Sequence, residues 1–218
     1  MPFEDGIMPW TPRVRERPAV RERLLAVARQ LFARYGYEHV STAAIARLAG
    51  TSESQLFRHF VSKADLLLAI FEETWRALNE RLQGVLQETA DVRTSAVRLL
   101  AVFIEFFTTN PDVAFLMLFE GRRVRGDSRV ALSRGFLEFT ERVRRLVERG
   151  QQEGVLPGSL NPAALAVALV GAAEGMVRDW VMAQRFQQAP PYSLEDVQAT
   201  FVALMNGLAA VARSAEEG

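Results

Sequence analysis

The 218-residue chain balances 26 cationic against 26 anionic side chains, a formal charge of zero that argues against a protein coating nucleic acid indiscriminately, and its apolar fraction of 49% is that of an ordinary globular chain. The absence of cysteine excludes disulfides and thiolate metal sites. No unbroken apolar run reaches the roughly 18 residues of a membrane span, and the leading MPFEDGIMPW lacks the basic and apolar regions of a signal peptide, so a cytoplasmic protein with no membrane partner is expected.

Residues 1–18 hold Pro2, Pro9, Pro12 and Pro18, with Arg13, Arg15 and Arg17 near their end. That composition predicts a flexible basic arm, read either as a solvated tail or as an arm following a minor groove. From Ala19 to Tyr35 the apolar residues Leu24, Leu25, Ala28, Leu31 and Phe32 recur at helical spacing, and Gly36 ends the run. A short helix follows, with Ile45, Leu48 and Ala49 expected as its inward stripe, and Gly50 leaves it through a left-handed turn. Ser52 opens the next helix, with Gln55 in the capping-box position and Leu56, Phe57 and Phe60 as its buried side. Two short helices joined by a glycine turn form the helix-turn-helix of major-groove readers, here predicted over residues 19–64.

The chemistry of that head suits a duplex. Thr42, Thr51, Ser52, Ser54, Gln55, Arg58, His59 and Lys63 are donors suited to phosphates and base edges, and Glu53 and Phe57 stand among them. Between Thr11 and Lys63, ten cations against four anions leave +6, so the remainder carries −6. A basic end on a neutral chain is the footprint of a local DNA-binding module. Lys63 is also the single lysine of a chain that otherwise uses arginine.

The stretch IARLAG-TSESQLFRHF-VSK resembles the N-terminal signature of the TetR family of bacterial transcriptional regulators. Thr42, Ile45, Ala46, Ala49, Gly50, Ser52, Leu56, Phe57, His59, Phe60, Ser62 and Lys63 carry the likeness. Thr51 stands where a small aliphatic is usual, Ser54 where glycine is frequent, and Phe57 where tyrosine is usual, which removes a phosphate-contacting hydroxyl. The resemblance implies an all-α protein of about nine helices: an N-terminal three-helix helix-turn-helix module, then a C-terminal helical ligand-binding and dimerisation domain over residues 65–218. It further implies a homodimeric repressor of a double-stranded, near-palindromic operator, released when a small-molecule effector enters the second half.

In that second half a long helix from Lys63 to about Glu88 is carried by Leu66, Leu67, Ile70, Phe71, Trp75, Leu78 and Leu82, and links head to body. Thr94–Thr109 is apolar nearly all round. Asn110 is expected to cap a helix begun by Pro111, and Gly121 to end it ahead of Arg122, Arg123 and Arg125. Asp127 is expected to open a helix reaching about Glu153. Asn161–Pro162 opens another, rich in small residues, to Ala183. Ser193 and Asp196 cap the last, where Phe201, Leu204, Met205 and Leu208 are spaced like a seam; these last two helices are expected to build the homodimer.

No catalytic, nucleotide-binding or metal motif is present, so neither an enzyme nor a cofactor is expected. Phe103, Phe107, Phe115, Phe119, Phe139, Met176 and Trp180 are candidates to line a cavity for a hydrophobic effector, although each taken singly also suits a plain core. Glu105, Arg122 and Arg178 are candidate polar contacts. The arginines at 122, 123 and 125 would suit the phosphates of an acyl-coenzyme A, or form a solvated turn. The alternative function is a constitutive DNA-binding protein whose C-terminal half serves only dimerisation or partner docking.

Overall fold

The computed structural model describes residues 19–87, 91–120 and 133–216. Their regular elements are helices: α1 (Val20–Tyr35), α2 (Thr42–Leu48), α3 (Glu53–His59), α4 (Lys63–Gln87), α5 (Val92–Thr108), α6 (Pro111–Phe115, continued by a π-helical turn Leu116–Glu120), α7 (Arg134–Gln152), α8 (Pro162–Arg185) and α9 (Leu194–Glu216). The arm at 1–18, the arginines at 122, 123 and 125, and Asp127 lie outside the described residues.

Local chemistry sets the helix ends. Ser41 and Ser52 each accept a backbone N–H three residues on, from Ala44 and Gln55, at 3.2 Å. At Gly50, with φ +67°, the bonds Thr51 N–H to Ala46 O and Gly50 N–H to Arg47 O complete a Schellman turn. Asp91 starts α5 by accepting from the Thr94 amide at 2.8 Å, which holds its carboxyl below the usual value. Asn161 accepts from Ala163 and Ala164, and Ser193 and Asp196 cap α9 reciprocally.

Three expectations are corrected. Leu48 is 60% exposed, because one turn of α2 brings Ile45, Ala46 and Ala49 inward instead. Asn110 does not cap α6; its amide donates to Phe106 O at 3.1 Å and closes α5. Helix α7 begins at Arg134 rather than Asp127: Ser133 accepts from Phe136 N–H, and Glu72 of α4 accepts the first two amides, Arg134 at 2.6 Å and Gly135 at 3.1 Å.

In the head, Leu24, Leu25, Ala28 and Phe32 of α1 share a core with Ile45, Leu56 and Phe60. Helix α4 leaves the head and continues into the body, a 25-residue rod about 38 Å long at 1.5 Å per residue. Its upper half is bolted to α7. A Cβ on Gly135 would lie 2.5 Å from Trp75 Cβ, and Asn79 Nδ2 donates to Gly135 O at 2.9 Å. Helices α5, α7 and α8 pack into the body, with α9 against α5 and α8. Among the described residues no single helix is long and apolar enough to cross a membrane.

Candidate functional site

The α2–α3 unit presents two surfaces. Leu56 is buried, while Ser54, Arg58 and His59 are exposed and Gln55 is half-buried at the edge of the same helix. Phe57 is 48% exposed, so it stands on the outer face rather than in the buried side expected of it. At the start of α3, the Ser52 and Ser54 hydroxyls lie 2.9 Å apart. Glu53 accepts from the Thr42 hydroxyl at 2.5 Å, tying the N-termini of α2 and α3 together. Thr51 is half-buried in the turn.

Lys63 points elsewhere. Its ammonium donates to Tyr37 O at 2.9 Å and Val40 O at 3.1 Å and lies 4.3 Å from the centre of the Tyr37 ring. Two of its three protons thus hold the connection between α1 and α2. Arg23 Nε donates to Ala49 O at 3.1 Å and does the same for the end of α2. In the head, cations thereby gather backbone carbonyls, and the α3 face stays exposed. Arg23 was not among the sequence candidates; a cation on the solvent-side register of α1 carries no signal of the carbonyl it meets.

The body holds an apolar cavity of about 40 Å³ between α5, α7, α8 and α9. Phe103 and Phe139 line it, both buried, their rings stacked at 5.7 Å. The other aromatic candidates lie elsewhere. Phe107 packs against Trp75 and Phe106 as core. Phe115 and Phe119 stack on each other at 5.0 Å where α6 meets the head. Met176 packs on the core, its carbonyl accepting from Tyr192 OH. Trp180 borders an outer groove with Asp112 and Arg185. Aromatic surplus is thus spent on ring-to-ring packing, and the cavity walls are mostly aliphatic: Leu99, Val143, Val147, Leu169 and Met205 among them. Such residues read as plain core in a sequence, so they escaped selection. Glu105 and Arg178 are exposed and do not border the cavity. Among the described residues no cluster of three His, Asp or Glu could hold a metal ion.

Helix α9 divides into two faces. Phe201 and Met205 turn into the cavity wall, whereas Leu204 remains 47% exposed and Leu208 half-buried, so the expected four-residue seam is split between the chain's own core and its surface. On α8, Ala164, Ala168 and Gly171 face outward beside Val167, which is 65% exposed.

A head of this geometry on a helical body defines a DNA-binding transcription regulator, and the chain belongs to the tetR family of bacterial regulatory proteins: residues 24–70 match the description "Bacterial regulatory proteins, tetR family" and residues 96–206 match "Tetracyclin repressor-like, C-terminal domain". It is 31% identical over 172 residues to the nucleoid occlusion factor SlmA of Aliivibrio fischeri (strain MJ11), covering 76% of this chain and 84% of that one. Its fold is similar to the fatty acid degradation regulator FadR of Bacillus halodurans, with a TM-score of 0.76 at 18% identity over 87% of this chain and 96% of the other. The regulator FadR of Bacillus subtilis, solved in complex with stearoyl-CoA, gives a TM-score of 0.76 at 18% identity over 84% and 96%.

Proposed function

We propose that the chain is a homodimeric repressor that binds a near-palindromic operator through α3 and is released by an apolar effector entering the cavity of the body. The observation that supports this most is the pairing of an exposed polar face on α3 with a cavity lined by apolar side chains in the same chain. Gln55 and Arg58 read base edges; Thr42, Ser52 and the N-terminus of α3 meet phosphates, with Thr51, Glu53, Ser54, Phe57 and His59 shaping the same surface. Lys63 acts mainly by holding the head together, its third proton remaining for a phosphate.

The cavity has room for only a few water-sized groups, since one needs about 10–15 Å³ on this measure. Any hydrocarbon effector must therefore push its walls apart. That requirement supplies the difference in affinity between two conformers without which a ligand shifts nothing. An acyl-coenzyme A is the first candidate, supported by the apolar lining here and by the stearoyl-CoA held by the structural neighbour.

Linkage provides the test. With an operator selected from random duplexes, straight-chain acyl-coenzyme A thioesters of increasing length are titrated with and without DNA. A coupling of about 1–3 kcal/mol weakens operator binding about 5- to 150-fold, and operator must weaken thioester binding by the same factor. Equal thioester affinity in both titrations, or none, leaves the second reading: a DNA-binding protein without a small-molecule switch, whose body docks a partner. The likeness to a nucleoid occlusion factor supports that alternative.

A further inference from the structure

We propose that Arg185 is the positioning residue through which the C-terminal half sets the orientation of the DNA-reading head; the proposal rests on the regulator reading above. Arg185 is the last residue of α8. Its Nη2 donates to the carbonyl of Ala33, in the last turn of α1, at 2.5 Å, across 152 residues of sequence. Its guanidinium also lies 4.0 Å from the centre of the Phe115 ring of α6.

Each contact has a physical reason. The last four carbonyls of a helix lack partners within it. In α1 the Gly36 amide serves Phe32 O at 2.9 Å, and Ala33 O, one residue further, is served by Arg185. A cation at a helix C-terminus also meets the negative end of the helix dipole. Phe115 is itself backed by Phe119. One planar group therefore joins three elements: the head through α1, α6 through Phe115, and α8. Lysine would reproduce this only in part, because an ammonium has no flat face to lay on the ring while it donates in plane.

The backbone that presents Arg185 is closed off. Gln187, at φ +54°, is the one non-glycine residue of positive φ among the described residues. Its N–H donates to Gln184 O, and that of Gln188 to Ala183 O, ending α8 in a Schellman turn normally given to glycine. A left-handed glutamine is held only where the surroundings over-determine it.

Helix α8 connects this joint to the cavity. Leu169, Val170 and Ala173 are cavity wall, and about 18 Å of helix separates Ala173 from Arg185 at 1.5 Å per residue. A wall displaced by an occupant moves α8 as a rod, and the rod's end holds α1. Since α1 shares its buried face with α2 and α3, the head follows as one body.

The absence of native cysteine makes the test direct. Spin labels at Gln30→Cys on α1 and Gln152→Cys at the end of α7, both exposed positions, report the distance between head and body in chains diluted with unlabelled protein. Without DNA, the otherwise unaltered chain should give one narrow distance distribution. Arg185→Gln should broaden or shift it while leaving dimerisation and a cooperative thermal transition in place, and should weaken binding to the selected operator on the order of tenfold. Arg185→Lys should fall between the two. Unchanged distances and operator affinity in Arg185→Gln would overturn the proposal. So would a loss of affinity that accompanies loss of the dimer or of the cooperative thermal transition, since that is a merely structural role. If Arg185→Gln does not fold, Phe115→Leu is read by the same criteria, and failure of both to fold overturns it as well. The regulator reading fails separately, if the unaltered chain selects no duplex while the distances still respond to Arg185.

Discussion

Lys63 gathers the Tyr37 and Val40 carbonyls at 2.9 and 3.1 Å, so its removal acts on the free protein before any DNA is present. Hydrogen bonds to a charged group contribute about 1.5–3 kcal/mol each in favourable settings, and Lys63→Met is expected to lower the stability of the chain by about 2 kcal/mol in a urea titration without DNA. An unaltered midpoint combined with uniformly weaker binding to all duplexes would return Lys63 to a plain phosphate contact. Gln55→Ala is expected to differ in kind: a cost of about 1–3 kcal/mol at one base pair, with preference relaxed there and the salt slope kept. A loss equal on all sequences would remove Gln55 from base reading. At this scale the identity of the head was legible and the aim of its side chains was not. The spacing of Ile45, Ala49 and Gly50 marks a helix and its exit, but nothing in the spacing says that Leu48 faces out or that Lys63 faces in. Those directions depend on where α1 and the 36–41 connection lie in space.

Elements were read most reliably where capping is local. Ser52, Asn161 and Ser193 begin helices through bonds to amides two or three residues away. The start of α7 shows the opposite case. Ser133 supplies one local cap, but Glu72, more than 60 residues earlier, receives the first two amides, and Gly135 is required because Trp75 Cβ would stand 2.5 Å from an added Cβ. Gly135→Ala is therefore expected to destabilise the chain by about 1–3 kcal/mol, as forced insertion into a packed contact does, despite alanine's better helix propensity. The denaturant midpoint measures it, and a stabilised variant would show that α4 and α7 are not in such close contact.

On the scale of the whole molecule, the outward faces of α8 and α9 are what the homodimer reading uses. Ala164, Val167, Ala168 and Gly171 leave room for a close backbone approach, and Leu204 and Val211 stand exposed on α9. A two-fold pair that reads a near-palindromic operator must set its two α3 helices in successive major grooves, about 34–36 Å apart. Leu204→Asp is expected to yield monomers that keep their helix content but bind operator poorly, as seen by sedimentation and DNA titration. A dimer that survives this change at micromolar concentration would move the interface off α9. Phe201→Asp would not serve, because Phe201 is part of the cavity wall and its loss would disturb the monomer itself.

Helical periodicity, local caps, the glycine turn and the uneven charge were enough to determine, from the chain alone, the fold class, the position of the reading head and the continuity of α4 between the two halves. These signals act over one to five residues, and the chain records them directly. Tertiary structure decided the rest: which aromatic rings pack on each other instead of enclosing a ligand, how the α9 seam divides between core and surface, and that Arg185 meets the end of α1. Such facts arise largely between residues brought together from different helices, 152 positions apart for Arg185 and Ala33, where helical period says which face a side chain occupies but not which neighbour it finds.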